Sequence, residues 1–131
     1  MNAIDTNVLV RFLVQDDEAQ AQKVMTLFSE SEKNKEPLFV SHVVLLELTW
    51  VLQSAYDVPR EAIIASINEL LSMVVLEFQG LQAIRNFINA AQDNTFDLAD
   101  LLISHVAESH DCLTTLTFDK KAAKSPLFTA L

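Results

Sequence analysis

The chain has one glycine and one cysteine among its 131 residues. A single glycine excludes a glycine-rich phosphate loop and a dinucleotide fingerprint, both of which need several close backbone approaches. The single cysteine, Cys112, excludes an internal disulfide and points to a reducing cytosol. In an apolar strand it reads as a small core residue rather than a nucleophile. Three histidines, none in a ligand-spaced pair, leave zinc without a ligand set. No serine stands in a nucleophile-elbow context. Cations are scarce: nine Lys plus Arg against 18 Asp plus Glu, a formal net charge of −9. Taken alone, that charge argues against nucleic-acid binding. The objection weakens if the acids gather in one metal site. No apolar run approaches the ~18 residues that span a bilayer. Asp5 and Arg11 break the stretch that would be the apolar region of a signal peptide. There is no repeat and no linker.

Half of the residues are hydrophobic, which suits one domain over residues 1–131 with a full core. The opening reads as a short strand ending near Asp5, followed by a helix over 7–14. Asp16 is placed as the N-cap of the next helix, with Asp17 and Glu18 in its first turn. That helix carries Ala21, Val24, Met25 and Phe28 at helical spacing and fades into a polar stretch over 29–35. A strand over 38–41 precedes a long apolar helix over 42–55. Pro59 suits the first turn of another helix, bearing Ile63, Ile64, Ile67, Leu70 and Leu71. A strand over 74–78, a helix after Gly80, a helix over 98–110 and a strand over 112–117 follow. The tail, 120–131, reads as ending in a short edge strand near Phe128. Strands alternating with helices predict an α/β fold: a small, mostly parallel sheet flanked by helices in three layers. Ligand sites in such sheets lie at the C-terminal ends of the strands.

Four carboxylates stand at the edges of apolar segments. Asp5 follows Met1-Asn2-Ala3-Ile4. Glu47 interrupts Val43-Val44-Leu45-Leu46 and Leu48-Thr49-Trp50. Asp100 lies within Leu98-Ala99-Asp100-Leu101-Leu102-Ile103. Asp119 ends Leu116-Thr117-Phe118. Burying an unpaired carboxylate costs several kcal/mol, so four of them suggest convergence on a positive charge. Oxygen ligands alone select hard cations, Mg²⁺ or Mn²⁺. Carboxylates with such an ion suit phosphodiester hydrolysis.

Each residue also has a plainer reading. Asp5 could cap the helix that follows it, Glu47 could be a satisfied core acid, and Asp119 a turn residue. Asp97 shares a helix face with Asp100 but is read first as the N-cap of that helix. Thr6, Asn7, Ser104 and Thr117 are candidates for orienting the carboxylates by hydrogen bonding, beside ordinary cap and strand roles. His42, His105 and His110 are given no catalytic part. Lys120, Lys121 and Lys124 form the only basic cluster. It directly follows Asp119, where it could hold a phosphate backbone.

Ile4-Asp5-Thr6-Asn7-Val8-Leu9-Val10 resembles the opening of PIN-domain nucleases, especially the VapC-type toxins of toxin–antitoxin pairs. Ser41-His42-Val43-Val44-Leu45-Leu46-Glu47 resembles the segment with that family's second acid. Asp97-Leu98-Ala99-Asp100-Leu101-Leu102-Ile103 resembles the third, and Leu116-Thr117-Phe118-Asp119-Lys120 the fourth. The resemblance runs in order over almost the whole chain. It implies a dimeric, Mg²⁺- or Mn²⁺-dependent endoribonuclease of the cytoplasm, covered by a cognate antitoxin. Asp5, Glu47, Asp100 and Asp119 would be its acidic quartet, with Asp5 and Asp100 the principal metal ligands and Asp97 an auxiliary one. Two departures stand out: Ser109-His110-Asp111-Cys112 lacks a glycine often found there, and the tail after Asp119 is short.

Two other classes compete. A receiver-type phosphoacceptor module is also α/β with clustered acids and Mg²⁺, but the strand over 74–78 ends without the required Asp. An acidic, non-catalytic adaptor is permitted by the charge. A homodimer is expected as well, because the segments 43–52 and 63–71 carry more apolar surface than one sheet face covers.

Overall fold

The computed structural model describes residues 1–131. The chain divides into two units, Met1–Gln79 and Gly80–Leu131. In the first unit α1 (Thr6–Val14), α2 (Glu18–Lys33), β1 (Leu38–Val40), α3 (His42–Ser54), α4 (Arg60–Leu71) and β2 (Leu76–Phe78) follow in order. β1 and β2 pair in parallel, Leu38 against Leu76 and Val40 against Phe78. The two helices between them supply the crossover that a parallel pair requires.

The expected opening strand is a single parallel bridge, Ala3 to Phe39. The Ile4 N–H donates to the Phe39 carbonyl at 3.1 Å, and the Phe39 N–H to the Asn2 carbonyl at 2.8 Å. Asp5 already occupies the N-cap of α1, so few residues remain to extend the ladder.

Helical spacing sets the core of this unit. Leu9 and Val10 of α1, Leu45, Leu48 and Leu52 of α3, and Ile63, Ile67 and Leu70 of α4 are buried. The α3 and α4 sets recur at three or four residues, which keeps each on one helix face. Burial of Ile63, Ile64, Ile67 and Leu70 corrects the expectation of surplus apolar surface over 63–71. α3 does leave Val43 and Trp50 exposed.

The cap of α2 is Asp17, one residue later than expected. Its side chain accepts from the Gln20 N–H at 3.0 Å. Asp16 is drawn elsewhere: it pairs with Arg11 at 3.0 Å and accepts from the Tyr56 hydroxyl at 3.1 Å. Arg11 also donates to that hydroxyl at 3.2 Å. The triangle ties the last turn of α1 to the chain just after α3.

The second unit holds α5 (Leu81–Ala91), α6 (Leu98–Ser109), β3 (Thr115–Thr117), a short 3-10 helix (Ala122–Lys124) and β4 (Phe128–Ala130). α5 packs against α6. Ala83, Ile84, Phe87 and Ile88 of α5 are buried, as are Leu98, Leu101 and Leu102 of α6. β3 and β4 pair in parallel, Thr115 against Phe128 and Thr117 against Ala130. The short tail therefore does supply a final strand.

β3 starts at Thr115, three residues later than expected. Cys112 consequently lies outside it and is exposed, not a core residue. The cause is the turn after α6, where Asp111 takes φ 64°. It lies in the stretch that lacks a glycine and adopts the left-handed conformation a glycine would take freely.

Six α-helices and small parallel sheets give the α/β class read from the sequence. No helix is long and apolar enough to cross a membrane.

Candidate functional site

In the first unit, Asp5 stands at the N-cap of α1 but its side chain makes no capping bond. The carboxylate is exposed, beside the buried Thr6 and the exposed Asn7. It lines a groove of about 510 Å³ together with Asn2, Val8 and Leu27. Glu47 lies mid-way along α3. Ser41 caps this helix, its hydroxyl accepting from the Val44 N–H at 3.3 Å. Leu45, Leu48, Thr49 and Leu52 take the buried face of α3, which turns Glu47 outward with Val43 and Trp50. Glu47 is exposed, so it is no core carboxylate.

In the second unit, Asp97 caps α6: its Oδ1 accepts from the Asp100 N–H at 3.0 Å. Asp100 sits in the first turn of α6 and is half-buried. Ser104 is buried, and its hydroxyl donates to the Leu101 carbonyl at 2.9 Å rather than to a carboxylate. Asp119 follows β3 and organises the turn after it. Its N–H donates to the Thr117 hydroxyl at 2.9 Å. Its Oδ1 accepts from the Lys121 N–H at 2.8 Å and the Ala122 N–H at 3.0 Å. Thr117 thus positions Asp119 directly. Lys120, Lys121 and Lys124 are all exposed.

The four acids are therefore not costly by burial, as their apolar neighbours in sequence suggested. Asp5, Glu47 and Asp119 are exposed and Asp100 is half-buried. What is unusual is the electrostatics around Asp100. Its carboxyl is held above the usual carboxylate range, first by partial burial and then by the carboxylates of Asp97 and Asp119. All three influences oppose ionisation. A hard divalent cation is the counter-charge that such an all-oxygen donor set suits. The structure holds no group of three or more His, Cys, Asp or Glu side chains already arranged around an ion position.

Two further residues were given no functional part from sequence. Phe118, the residue before Asp119, is 81% exposed. The alternation Thr115-Leu116-Thr117-Phe118 carried the signal, since it sends Leu116 and Phe118 to one side of the strand. His105 is buried in α6, and neither ring nitrogen has a hydrogen-bond partner. Glu108 Oε1 lies 3.8 Å from its Nδ1, too far for a hydrogen bond. Desolvation lowers the His105 pKa, only partly offset by the Glu108 charge.

The sequence of β2 ends at Phe78 and continues with Gln79, without the Asp that a receiver-type module needs there. Comparison with known proteins points the same way. The chain is 26% identical over 124 residues to a VapC ribonuclease of Aquifex aeolicus (strain VF5), covering 95% of this chain and 91% of that protein. No solved structure matches it. Residues 3–126 match the PIN domain, a stretch that holds Asp5, Glu47, Asp100 and Asp119 and most of both units. The chain belongs to the PIN domain family.

Proposed function

We propose that this protein is a Mg²⁺- or Mn²⁺-dependent endoribonuclease, the toxin of a toxin–antitoxin pair. The PIN match over residues 3–126 carries this reading. The similarity to a VapC ribonuclease and the like-charge crowding at Asp100 support it. The residues assigned to the ion are Asp5, Glu47, Asp100 and Asp119, with Asp5 and Asp100 principal. Asp97 is auxiliary, since its Oδ1 is engaged by the Asp100 N–H.

A bound ion would make a water easier to deprotonate for attack and would stabilise the charge that builds on the phosphate. The chain's own groups do the rest. The Thr117 hydroxyl and the turn amides hold Asp119 in one orientation. The Asp97 cap holds the first turn of α6, and with it Asp100. The ammonium groups of Lys120, Lys121 and Lys124 draw in phosphates, which an otherwise acidic surface would repel. Thr6 and Asn7 flank Asp5 as candidates to orient it. Ser104 is bonded within its own helix, which argues for a structural part.

Both units are assigned to a single nuclease domain, for which one cooperative unfolding transition is expected. The reading includes a cognate antitoxin as protein partner, a homodimer and a place in the cytoplasm, where RNA substrate and a free thiol coexist. Protein freed of any partner should cut RNA with Mg²⁺ or Mn²⁺ and stop with EDTA. Equal cutting in EDTA would remove the proposal.

A further inference from the structure

We propose that Phe118 is a stacking platform for an unpaired base of the RNA substrate. The inference rests on the ribonuclease reading above and concerns what that site grips. Phe118 is 81% exposed, and Leu116 beside it on the strand is 61% exposed. Leaving a phenyl ring in water forgoes roughly 1.5–3 kcal/mol of burial.

The ring is mounted on a fixed support. β3 pairs with β4 directly before it. Immediately after it, the Asp119 N–H is bonded to Thr117 and the Asp119 carboxylate to the amides of Lys121 and Ala122. Phe118 is thus held between a strand and a pinned turn.

Charge selects the occupant. The chain carries nine Lys plus Arg in all, with a net charge of −9. Lys120, Lys121 and Lys124 nevertheless crowd into five positions just after the ring, all exposed. An exposed aromatic face followed by three ammonium groups complements a polyanion that also offers flat apolar faces. Single-stranded nucleic acid has that chemistry, and stacking on an aromatic side chain contributes ~1–3 kcal/mol per base. In a duplex both faces of a base are already covered by its neighbours.

The test uses the full chain with a single tryptophan moved to the platform. The natural sequence has one, Trp50, so Trp50→Phe combined with Phe118→Trp leaves one reporter. Its emission is titrated with an unstructured RNA octamer, with the same octamer in a duplex, and with an abasic octamer, all with Ca²⁺ as the divalent ion. Quenching by the single strand, with little by the duplex or the abasic strand, is expected. Phe118→Ala should weaken binding of the octamer about tenfold, and Phe118→Trp should hold it near the original affinity. Equal quenching by all three RNAs, or no quenching by any, overturns the proposal. So does a Phe118→Ala variant that binds RNA undiminished, including one whose particle mass halves in light scattering, which would assign the ring to a protein interface. Because binding is read without cleavage, the two readings fail separately. Selective quenching by a protein that never cuts RNA would sink the nuclease and keep the platform. Cutting without quenching would do the reverse.

Discussion

The backbone N–H of Asp100 donates to a carboxylate oxygen of Asp97 at 3.0 Å. One acid of this pair is thereby committed to holding the helix that carries the other. Asn caps a helix nearly as well as Asp. Asp97→Asn should therefore keep both fold and most of the cleavage. Asp100→Asn removes a charge from a principal ion-holding position and should lower cleavage by about two orders of magnitude. Asp5→Asn should behave like Asp100→Asn. Asp97→Ala should cost about 1 kcal/mol in chemical denaturation through loss of the cap. Initial rates on one RNA substrate compare all four, and an Asp97→Asn variant as damaged as Asp100→Asn would assign Asp97 to the ion after all.

Asp100 also predicts a stability profile. Its folded-state pKa lies above the ordinary value of 3.8 because burial and two neighbouring carboxylates oppose its charge. Over the window from 3.8 up to the folded pKa, the folded state binds more protons than the unfolded, so this group's contribution falls as pH rises. At neutral pH the ionised carboxylate is a liability in the metal-free protein. Asp100→Asn should raise the metal-free Tm at pH 7, and the gain should vanish below the window. Mg²⁺ should raise the Tm of the natural protein and leave the Asn variant unmoved. A metal-free Asp100→Asn variant that melts lower at pH 7 would contradict this.

Much of this is legible in the sequence, and what is not has physical causes. α6 was readable because Asp97 precedes a run with buried Leu98, Leu101, Leu102 and His105 at helical spacing. Exposure of the acids was not readable from adjacency. Glu47 sits between Leu46 and Leu48 in sequence, yet four-residue spacing puts it on the outward face with Val43. The choice between Asp16 and Asp17 as cap was settled by Arg11 and by Tyr56, forty positions further on. No local rule contains that partner. The start of β3 is not legible because the left-handed turn at Asp111 falls on a residue that does not announce it.

Scarce glycine has a measurable cost. Gln15 ends α1 at φ 57°, with its N–H donating to the Arg11 carbonyl at 3.2 Å. A residue with a Cβ is disfavoured there by about 1–2 kcal/mol, part of which glycine returns through its freer unfolded chain. Gln15→Gly should raise stability by about 0.5–1 kcal/mol, read from the urea midpoint. A lower midpoint would mean that the Gln15 side chain, which donates to the Phe12 carbonyl at 3.2 Å, contributes more than the strain.

His105 predicts acid sensitivity. Its imidazole is buried, and desolvation lowers its pKa below 6.5. As pH falls from 6.5 to the folded pKa, the unfolded chain takes up a proton and the folded one does not, so stability declines across that window. His105→Leu keeps the apolar volume and removes the titration. Its Tm at pH 5 should lie closer to its Tm at pH 7 than in the natural protein. Equal acid shifts in both proteins would show that other groups carry the effect.

The homodimer is best tested at Trp50. It is 64% exposed and Val43 is 74% exposed, on the same face of α3 as Glu47. Two large apolar side chains one heptad apart form the kind of stripe that a second helix covers. The other apolar segment offered for association, α4, keeps Ile63, Ile64, Ile67 and Leu70 inside, so α3 is the stronger candidate. Trp50→Ala should lower the mass in light scattering from twice 14.7 kDa to 14.7 kDa at micromolar concentration. A partner copy seated on this stripe would lie beside Glu47, so cleavage should fall together with the mass. A natural protein that already scatters as a 14.7 kDa particle would end the dimer reading. A Trp50→Ala variant that remains dimeric would move the interface away from α3.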